Sequence, residues 1–501
     1  MAPSATGHAS PVHSNGNGNN HGHSNGHRHA SSQPRFNGDG HFSSGPRTML
    51  PVEHPTDSFW HTQPHELNDQ RTTECLPEHS DIVIIGAGYA GVATAYNLVK
   101  NPASPSNLSI TILEARHACS GATGRNGGHL RPDLYGHIPT YIKRFGLDAG
   151  AELAEFEIAH VQAIKKLVAD EKIDCDFTLT RTCDVWTNQA AADKAKAVYD
   201  MMVAFGLSYM DDVDFTMGPS AEGLSGIKDA KACATYTAGT LWPYKFIMHL
   251  LTSAISTGKV NLQTHTPATE ITASSSGGYN IQTSRGFIHA RTVIHANNAY
   301  VSGLLPEYQA SIIPCKGICC RITVPKNSTA PLVQSSYIVR TTDGKGLDYL
   351  IPRSDGSIVV GGASQTFKPS REQWYDNVDD SVLIQDAEGY YDEYMQRTFR
   401  GWDESGAKID KIWTGVMGYS YDSAAHVGTV PSRDGQYILA GFNGHGMPLI
   451  WLAAKGIADM VLTGKSYETA GLPRVMKTSS DRIQAALNGR EGGDILFTPQ
   501  S

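Results

Sequence analysis

Long apolar runs are missing from this chain. No stretch of about 18 uninterrupted apolar residues occurs, the length a membrane-crossing helix needs, so no such span is expected. The opening Met1-Ala2-Pro3-Ser4-Ala5 offers no apolar core for a secretory leader, and Thr498-Pro499-Gln500-Ser501 is not a peroxisomal tripeptide of the Ser-Lys-Leu kind. Cytoplasmic residence is the expectation that remains. A surplus of positive charge is missing too: 41 Lys and Arg face 49 Asp and Glu, for a net charge of -8, which argues against a nucleic-acid or anionic-membrane partner. Paired cysteines are also absent. Cys75, Cys119, Cys175, Cys183, Cys233, Cys315, Cys319 and Cys320 show no CxxC spacing of the kind a structural zinc site uses, and no metal site is expected. The close group Cys315 to Cys320 lies in a strand-like run whose alternate side chains face opposite ways. Buried, reduced thiols are the reading.

The 501 residues exceed what one hydrophobic core usually serves, so two lobes plus tails are expected. Residues 1–50, rich in Gly, Ser, Asn and His, bury too little to offset the entropy of ordering, and the composition predicts a disordered tail. Its histidines (His8, His13, His21, His23, His27, His29, His41) are read as solvated rather than metal-binding. Residues 51–79 are an N-terminal extension. At Asp81-Ile82-Val83-Ile84-Ile85 the texture becomes that of a strand buried on both faces. Helical spacing follows through Val92, Ala95, Tyr96 and Val99, and Leu108 to Leu113 is a second strand, completing a βαβ unit. A helix is expected over Ile247 to Ile255, and strands over Val260 to Leu262, Ala268 to Thr272 and Thr292 to Ala296. Tyr349 to Arg353 and Ser357 to Val360 read as an antiparallel hairpin. Gly150 to Gly206 reads as helical.

Between the first strand and helix stands Gly86-Ala87-Gly88-Tyr89-Ala90-Gly91. A lone GxGxxG is weak, but a buried strand before it, a helix after it and an acid closing the next strand make a dinucleotide-binding, Rossmann-type unit. Gly86 permits the turn, Gly88 admits a pyrophosphate, and Gly91 lets helix and strand approach. The helix N-terminus offers free N–H groups to phosphate, and Glu114 suits the ribose hydroxyls of an adenosine, with Ala115 and Arg116 beside it. This unit alone does not separate FAD from NAD.

Ser120-Gly121-Ala122-Thr123-Gly124-Arg125-Asn126-Gly127-Gly128-His129 resembles the second phosphate-and-flavin loop of the D-amino-acid oxidase superfamily of FAD enzymes. Tyr437 to Pro448, with Gly441, Asn443, Gly444, His445, Gly446 and Met447, resembles the same family's last strand, turn and flavin-covering helix. Further matching pieces are Gly239 to Pro243, Ala296 to Tyr300, Pro314 to Gly317, and Trp413 to Gly415 with Asp422. The resemblance covers about residues 58 to 465 and is nearest to the gamma-glutamylputrescine oxidase-like branch and its fungal relatives, including Phe59-Trp60. It departs at Ser423 to His426, where the family usually has a proline. Some relatives attach flavin through a cysteine near the equivalent of Met417-Gly418; no cysteine follows Cys320, so non-covalent FAD is expected.

The resemblance implies an α/β FAD-binding domain (80–135, 236–300 and 412–470), an α+β, mixed-sheet substrate domain (136–235 and 301–411) and a C-terminal tail (471–501). It implies hydride transfer from a carbon bearing an amine to flavin N5, with O2 as the expected acceptor giving H2O2. A dehydrogenase, an oxidase of a non-amine substrate and a non-catalytic FAD-binding protein are the alternatives. Expected cofactor contacts are Gly86, Gly88, Tyr89, Ala90, Gly91, Glu114, Ala115, Arg116, Ala122, Thr123, Asn126, Gly127, Gly128, His129, Ala268, Asn298, Gly441, Asn443, Gly444, His445, Gly446 and Met447. His129, His445, Lys316 and Tyr349 are the catalytic candidates, and Arg353 is a candidate for a substrate carboxylate. The substrate itself, the oligomeric state and the choice between oxidase and dehydrogenase are not legible.

Overall fold

The computed structural model describes residues 49–340 and 346–489; of the tail expected over residues 1–50, residues 1–48 with the histidines lie outside the described residues, as do 490–501, while Met49 is buried. The β-branched run His79–Ile85 forms the middle of the first sheet. It pairs in parallel with Ile110–Leu113 on one side and Gly286–His295 on the other. Val260–Gln263 and Gln436–Ala440 extend the parallel array outward, and His426–Thr429 closes one edge antiparallel. An antiparallel ribbon, Ala268–Ala273 with Tyr279–Thr283, hangs from Gly286–His295. The helices Pro243–Ile255 and Ile450–Thr463 pack against Tyr89–Lys100, whose residues are buried along almost its whole length. That pattern, apolar on all sides, is what a helix sandwiched between a sheet and two other helices requires.

The second sheet is mixed. Its strands run in the order Lys408–Ser420, Ile312–Thr323, Ile358–Gly361, Leu347–Pro352, Ser336–Arg340, Thr178–Trp186, Ala232–Thr240 and His129–Leu130, antiparallel except for the parallel pair Ser336–Arg340 and Thr178–Trp186. Asp214–Met217 adds to Ala232–Thr240. The expected hairpin is present, with Tyr349 opposite Gly361.

Three expectations are corrected. The stretch 150–206 is not helical throughout: between the helices Leu147–Glu171 and Gln189–Ala204 runs the strand Thr178–Trp186, whose β-branched residues pair with Ala232–Thr240. The expected limits at 236 and 412 fall inside Ala232–Thr240 and Lys408–Ser420, both wholly in the second sheet. Residues 471–489 are no tail: they carry the helix Ser480–Gly489, and Arg482 clasps Asp422 through Nε at 2.6 Å and Nη2 at 2.8 Å. That ion pair, with Arg144 Nη1 donating to the Asp422 carbonyl at 2.7 Å, shapes the loop where the family proline is missing. Among the described residues no helix is long and apolar enough to cross a membrane.

Candidate active site

One cavity of about 1240 Å³ runs from the carboxyl end of the first sheet to the inner face of the second. Pockets for drug-sized ligands measure roughly 300–1,000 Å³, so this void has room for something longer. Its first end is the glycine turn. Gly86 has φ +106°, and a Cβ there would lie 2.9 Å from the Ala296 carbonyl oxygen; a Cβ on Gly91 would lie 1.9 Å from that of Gly86. The helix Tyr89–Lys100 starts on Gly88 with no side-chain cap of its own. Thr123 Oγ1 accepts from the Tyr89 N–H at 2.9 Å instead, which docks the second glycine loop on the first. Glu114 accepts from the Ala87 N–H at 2.8 Å and from the Arg116 N–H at 2.9 Å, so its carboxylate is fixed at the cavity wall. Asn126 donates to the Thr123 carbonyl at 2.9 Å and accepts from the Gly128 N–H at 2.7 Å, folding the loop about itself. Asn297, also in the wall, has a buried Oδ1 with no partner among the described residues.

Midway, the wall is formed by Gly127, His129, Lys316, Tyr349, Met417 and the turn Asn443 to Met447. His129 Nε2 stands 2.8 Å from Ser336 Oγ; burial, with the charge of Arg131, holds its imidazole well below the usual range and therefore neutral. Lys316 is buried, donates to the Val382 carbonyl at 3.2 Å, and is lowered by burial despite Asp379 and Asp380. Tyr349 packs under the main chain of Gly127, where a Cβ would lie 2.5 Å from its ring, and its hydroxyl stands 2.9 Å from Cys319 Sγ.

The far end is polar. Arg131, Asp133, His137 and Glu157 join His445 in the wall. Arg131 pairs with the buried Asp184 at 2.8 Å. Asp133 meets His137 Nδ1 at 2.6 Å; burial would raise its carboxyl, but that hydrogen bond and charge outweigh it and hold it well below the usual range. Glu157 accepts from the Asp133 N–H at 2.6 Å and lies 2.7 Å from His445 Nε2.

Most of the residues singled out in the sequence thus border one void: Gly86, Gly88, Tyr89, Ala90, Glu114, Ala115, Arg116, Ala122, Thr123, Asn126, Gly127, His129, Ala268, Asn298, Lys316, Tyr349, Asn443, Gly444, His445, Gly446 and Met447. Four do not. Gly91 packs helix on strand, and Gly128 (φ +75°) packs on Trp60 and the Leu241 carbonyl. Gly441 (φ +73°) faces Ile312 and Ser420, its N–H held by Asn298 Oδ1 at 2.9 Å. Arg353, expected to meet a substrate carboxylate, instead pairs with Asp176 at 2.6 Å and lies over the rings of Trp60 and Trp242. On the hairpin Tyr349 lines the cavity, whereas the Arg353 side chain is drawn to the two indoles and to Asp176. Arg116 reaches the cavity while its guanidinium is spent on Asp380, at 2.9 and 3.1 Å.

Sequence reasoning missed Arg131, Asp133, Glu157 and Asn297. The signal for Glu157 was present: on the helix Leu147–Glu171 it shares a stripe with Leu153, His160, Val161 and Ile164, all buried, and an acid on an apolar stripe asks for a partner. Arg131 and Asp133 continue the alternation begun at His129.

The family model described as DAO, FAD dependent oxidoreductase, matches residues 81–460. The chain is 23% identical over 394 residues to "Probable oxidoreductase OrdL" of Haemophilus influenzae, a match covering 77% of this chain and 83% of that protein. It is 23% identical over 393 residues to gamma-glutamylputrescine oxidoreductase of Escherichia coli, covering 76% and 83%. The crystal structure of glycine oxidase from Geobacillus kaustophilus superposes with a TM-score of 0.61 at 20% identity, covering 77% of this chain and 95% of that one; the two share a fold.

Proposed function

The chain belongs to the DAO family of FAD-dependent oxidoreductases, and from that premise we propose that it oxidises a C–N bond of an amine or amino-acid-like small molecule, with O2 as the final acceptor. FAD supplies the two-electron acceptor when bound. The cradle suits it: the glycine turn and the first turn of Tyr89–Lys100 would take the pyrophosphate, Glu114 the ribose, and the buried, partnerless Asn297 Oδ1 a donor from the cofactor.

The observation that carries the reading is continuity. The void that starts at Gly86 and Glu114 ends among Arg131, Asp133, Glu157 and His445, so a group recognised at the polar end is presented to the middle of a long bound dinucleotide. His129, neutral and anchored on Ser336, and Tyr349, wedged under Gly127, form rigid walls that orient a substrate between them. Oxidation of an amine needs its nitrogen unprotonated and water kept away, and no strong base is demanded of the protein. The Glu157–His445 pair is placed to receive the proton an ammonium substrate sheds on binding. Lys316 supports the oxidase reading, because a buried cation in the cavity wall favours negative charge developing on oxygen.

The test is anaerobic bleaching of the protein's flavin band by a panel of primary amines, secondary amines and amino acids, with gamma-glutamylputrescine included because the Escherichia coli relative is named for it. A flavin reduced by none of them ends the C–N reading. Reoxidation by air, followed as H2O2, then decides for oxidase; a reduced flavin that persists in air and yields to an artificial acceptor decides against it.

A further inference from the structure

The family match begins at residue 81, yet the cavity wall includes Met49, Leu50 and Pro51. We propose that residues 49–60 are a strap that retains the cofactor, fastening the second glycine loop from behind and closing the rim of the cavity beside Arg116 and Gly303.

The strap is anchored at its start, middle and end. At its start Met49 packs on Gly303, where a Cβ would lie 2.9 Å from that of Met49, and the Val52 carbonyl accepts from Arg116 Nη1 at 3.0 Å. In the middle the Thr56 N–H donates to the Asp380 carbonyl at 2.7 Å. Thr56 Oγ1 accepts from Arg125 Nη1 at 3.1 Å and from the Thr414 N–H at 3.0 Å, and the Thr56 carbonyl accepts from Arg125 Nη2 at 2.5 Å. At its end Ser58 Oγ donates to the Gly124 carbonyl at 2.7 Å and Trp60 Nε1 to that of Asn126 at 2.5 Å. The Trp60 ring fills the space beside the bare Cα of Gly128, 3.1 Å from where a Cβ would stand, and Arg353 lies over that ring at 5.0 Å. Between these anchors Glu53, His54 and Asp57 face solvent.

Four of the strap's partners, Arg116, Gly124, Arg125 and Asn126, belong to the segment that follows Glu114 and carries the second glycine loop. Arg116 and Arg125 line the cavity, and share Asp380, Arg125 Nε standing 3.5 Å from it; the strap's carbonyls take up the donors that Asp380 leaves over. Gly124 and Asn126 offer their carbonyls outward to the strap, which leaves the inner side of the loop free for a ligand. A glycine-rich loop so tied has few conformations to lose when it binds, and a bound dinucleotide leaves only after these ties part. Arg353, misread as a substrate contact, here has a positioning role through Trp60.

The inference rests on FAD as the cofactor and not on the choice of substrate. Its test compares the full chain with Thr56→Val, Ser58→Ala and the double variant. The FAD dissociation constant and release rate are followed by flavin fluorescence, and the thermal unfolding of FAD-loaded and FAD-free protein is recorded. The double variant is expected to bind FAD about tenfold or more weakly and release it faster, and to lose more unfolding temperature when loaded than when free. Unchanged affinity and release overturn the proposal. So does an equal fall in both unfolding temperatures, which would make the strap a part of the fold alone. An unmodified chain that takes up no FAD would sink the cofactor assignment itself, a result separable from either.

Discussion

His445 Nε2 and Glu157 Oε2 stand 2.7 Å apart, which ties the last glycine turn to the middle of the helix Leu147–Glu171. The glutamate is almost wholly buried while the imidazole opens to the cavity, and the same carboxylate oxygen takes the Asp133 N–H. Glu157→Gln keeps an acceptor for Asp133 and removes the charge facing His445. Hydrogen bonds to charged groups contribute about 1.5–3 kcal/mol, so the second-order rate of anaerobic flavin reduction by the best amine should fall roughly 10- to 100-fold, with FAD affinity unchanged. An unaltered reduction rate would remove the pair from substrate handling.

Gly91 and Gly223 should respond oppositely to the same change. A Cβ on Gly91 would lie 1.9 Å from the Gly86 carbonyl oxygen, and backbone cannot step aside cheaply. Gly91→Ala should cost about 1–3 kcal/mol or more by overpacking and lower the fraction of protein purified with flavin. Gly223, inside Ser220–Ser225, has nothing within 4 Å of its would-be Cβ. Gly223→Ala should be neutral or stabilising by up to about 1 kcal/mol. Urea midpoints read both, and equal responses would contradict the packing described.

What could be read beforehand was local. Gly86, Gly88 and Glu114 were legible because strand, turn, helix and strand lie within one short βαβ unit, and the resemblance of Ser120–His129 and Gly441–Met447 to the DAO family is borne out by the family match. What could not be read depends on distant partners. Thr178–Trp186 is a strand because Ala232–Thr240 and Ser336–Arg340 flank it, while its neighbours in sequence are helical. Arg353 left the cavity for Asp176 and two tryptophans far from it in sequence, and Glu157 entered because His445 lies 288 positions away. Gly91 packs helix on strand as its place in the turn implied, while Gly128 and Gly441 serve close packing away from the cavity, and position in a motif cannot tell that from contact with a ligand.

Flavin should come away without a covalent bond. Two cysteines, Cys315 and Cys319, do border the cavity, but a thiolate is the attacking species, and burial pushes the Cys319 thiol up to about 12 although its contact with Tyr349 lowers it. Position 417 is methionine and faces Cys315 across the strand pair. Acid precipitation should leave all yellow colour in the supernatant as FAD and a colourless pellet. Flavin fluorescence that stays with the denatured chain on a gel would refute this.

Stability should fall as the pH drops below 6.5. His160, His295 and His426 are fully buried; burial lowers His160 and His295 to about 4 and His426 well below its ordinary value. His160 shows why the neutral ring is required: Nδ1 stands 2.9 Å from the Phe156 carbonyl, leaving Nε2 to accept from the Leu452 N–H at 2.9 Å in the first turn of Ile450–Thr463. Once unfolded, each ring binds a proton below about 6.5 that the folded state refuses, so the unfolded state holds more protons and stability rises with pH across that window. Above 6.5 both states are neutral and the contribution levels off. Between 6.5 and about 4 each such histidine contributes a slope of about 1.4 kcal/mol per pH unit. Urea unfolding at pH 7, 6 and 5 should show the decline, and His160→Gln, which keeps an acceptor within reach of Leu452, should reduce the slope by about 1.4 kcal/mol per pH unit while lowering stability at pH 7. A variant whose slope matches that of the unmodified chain would mean that His160 accepts its proton without unfolding.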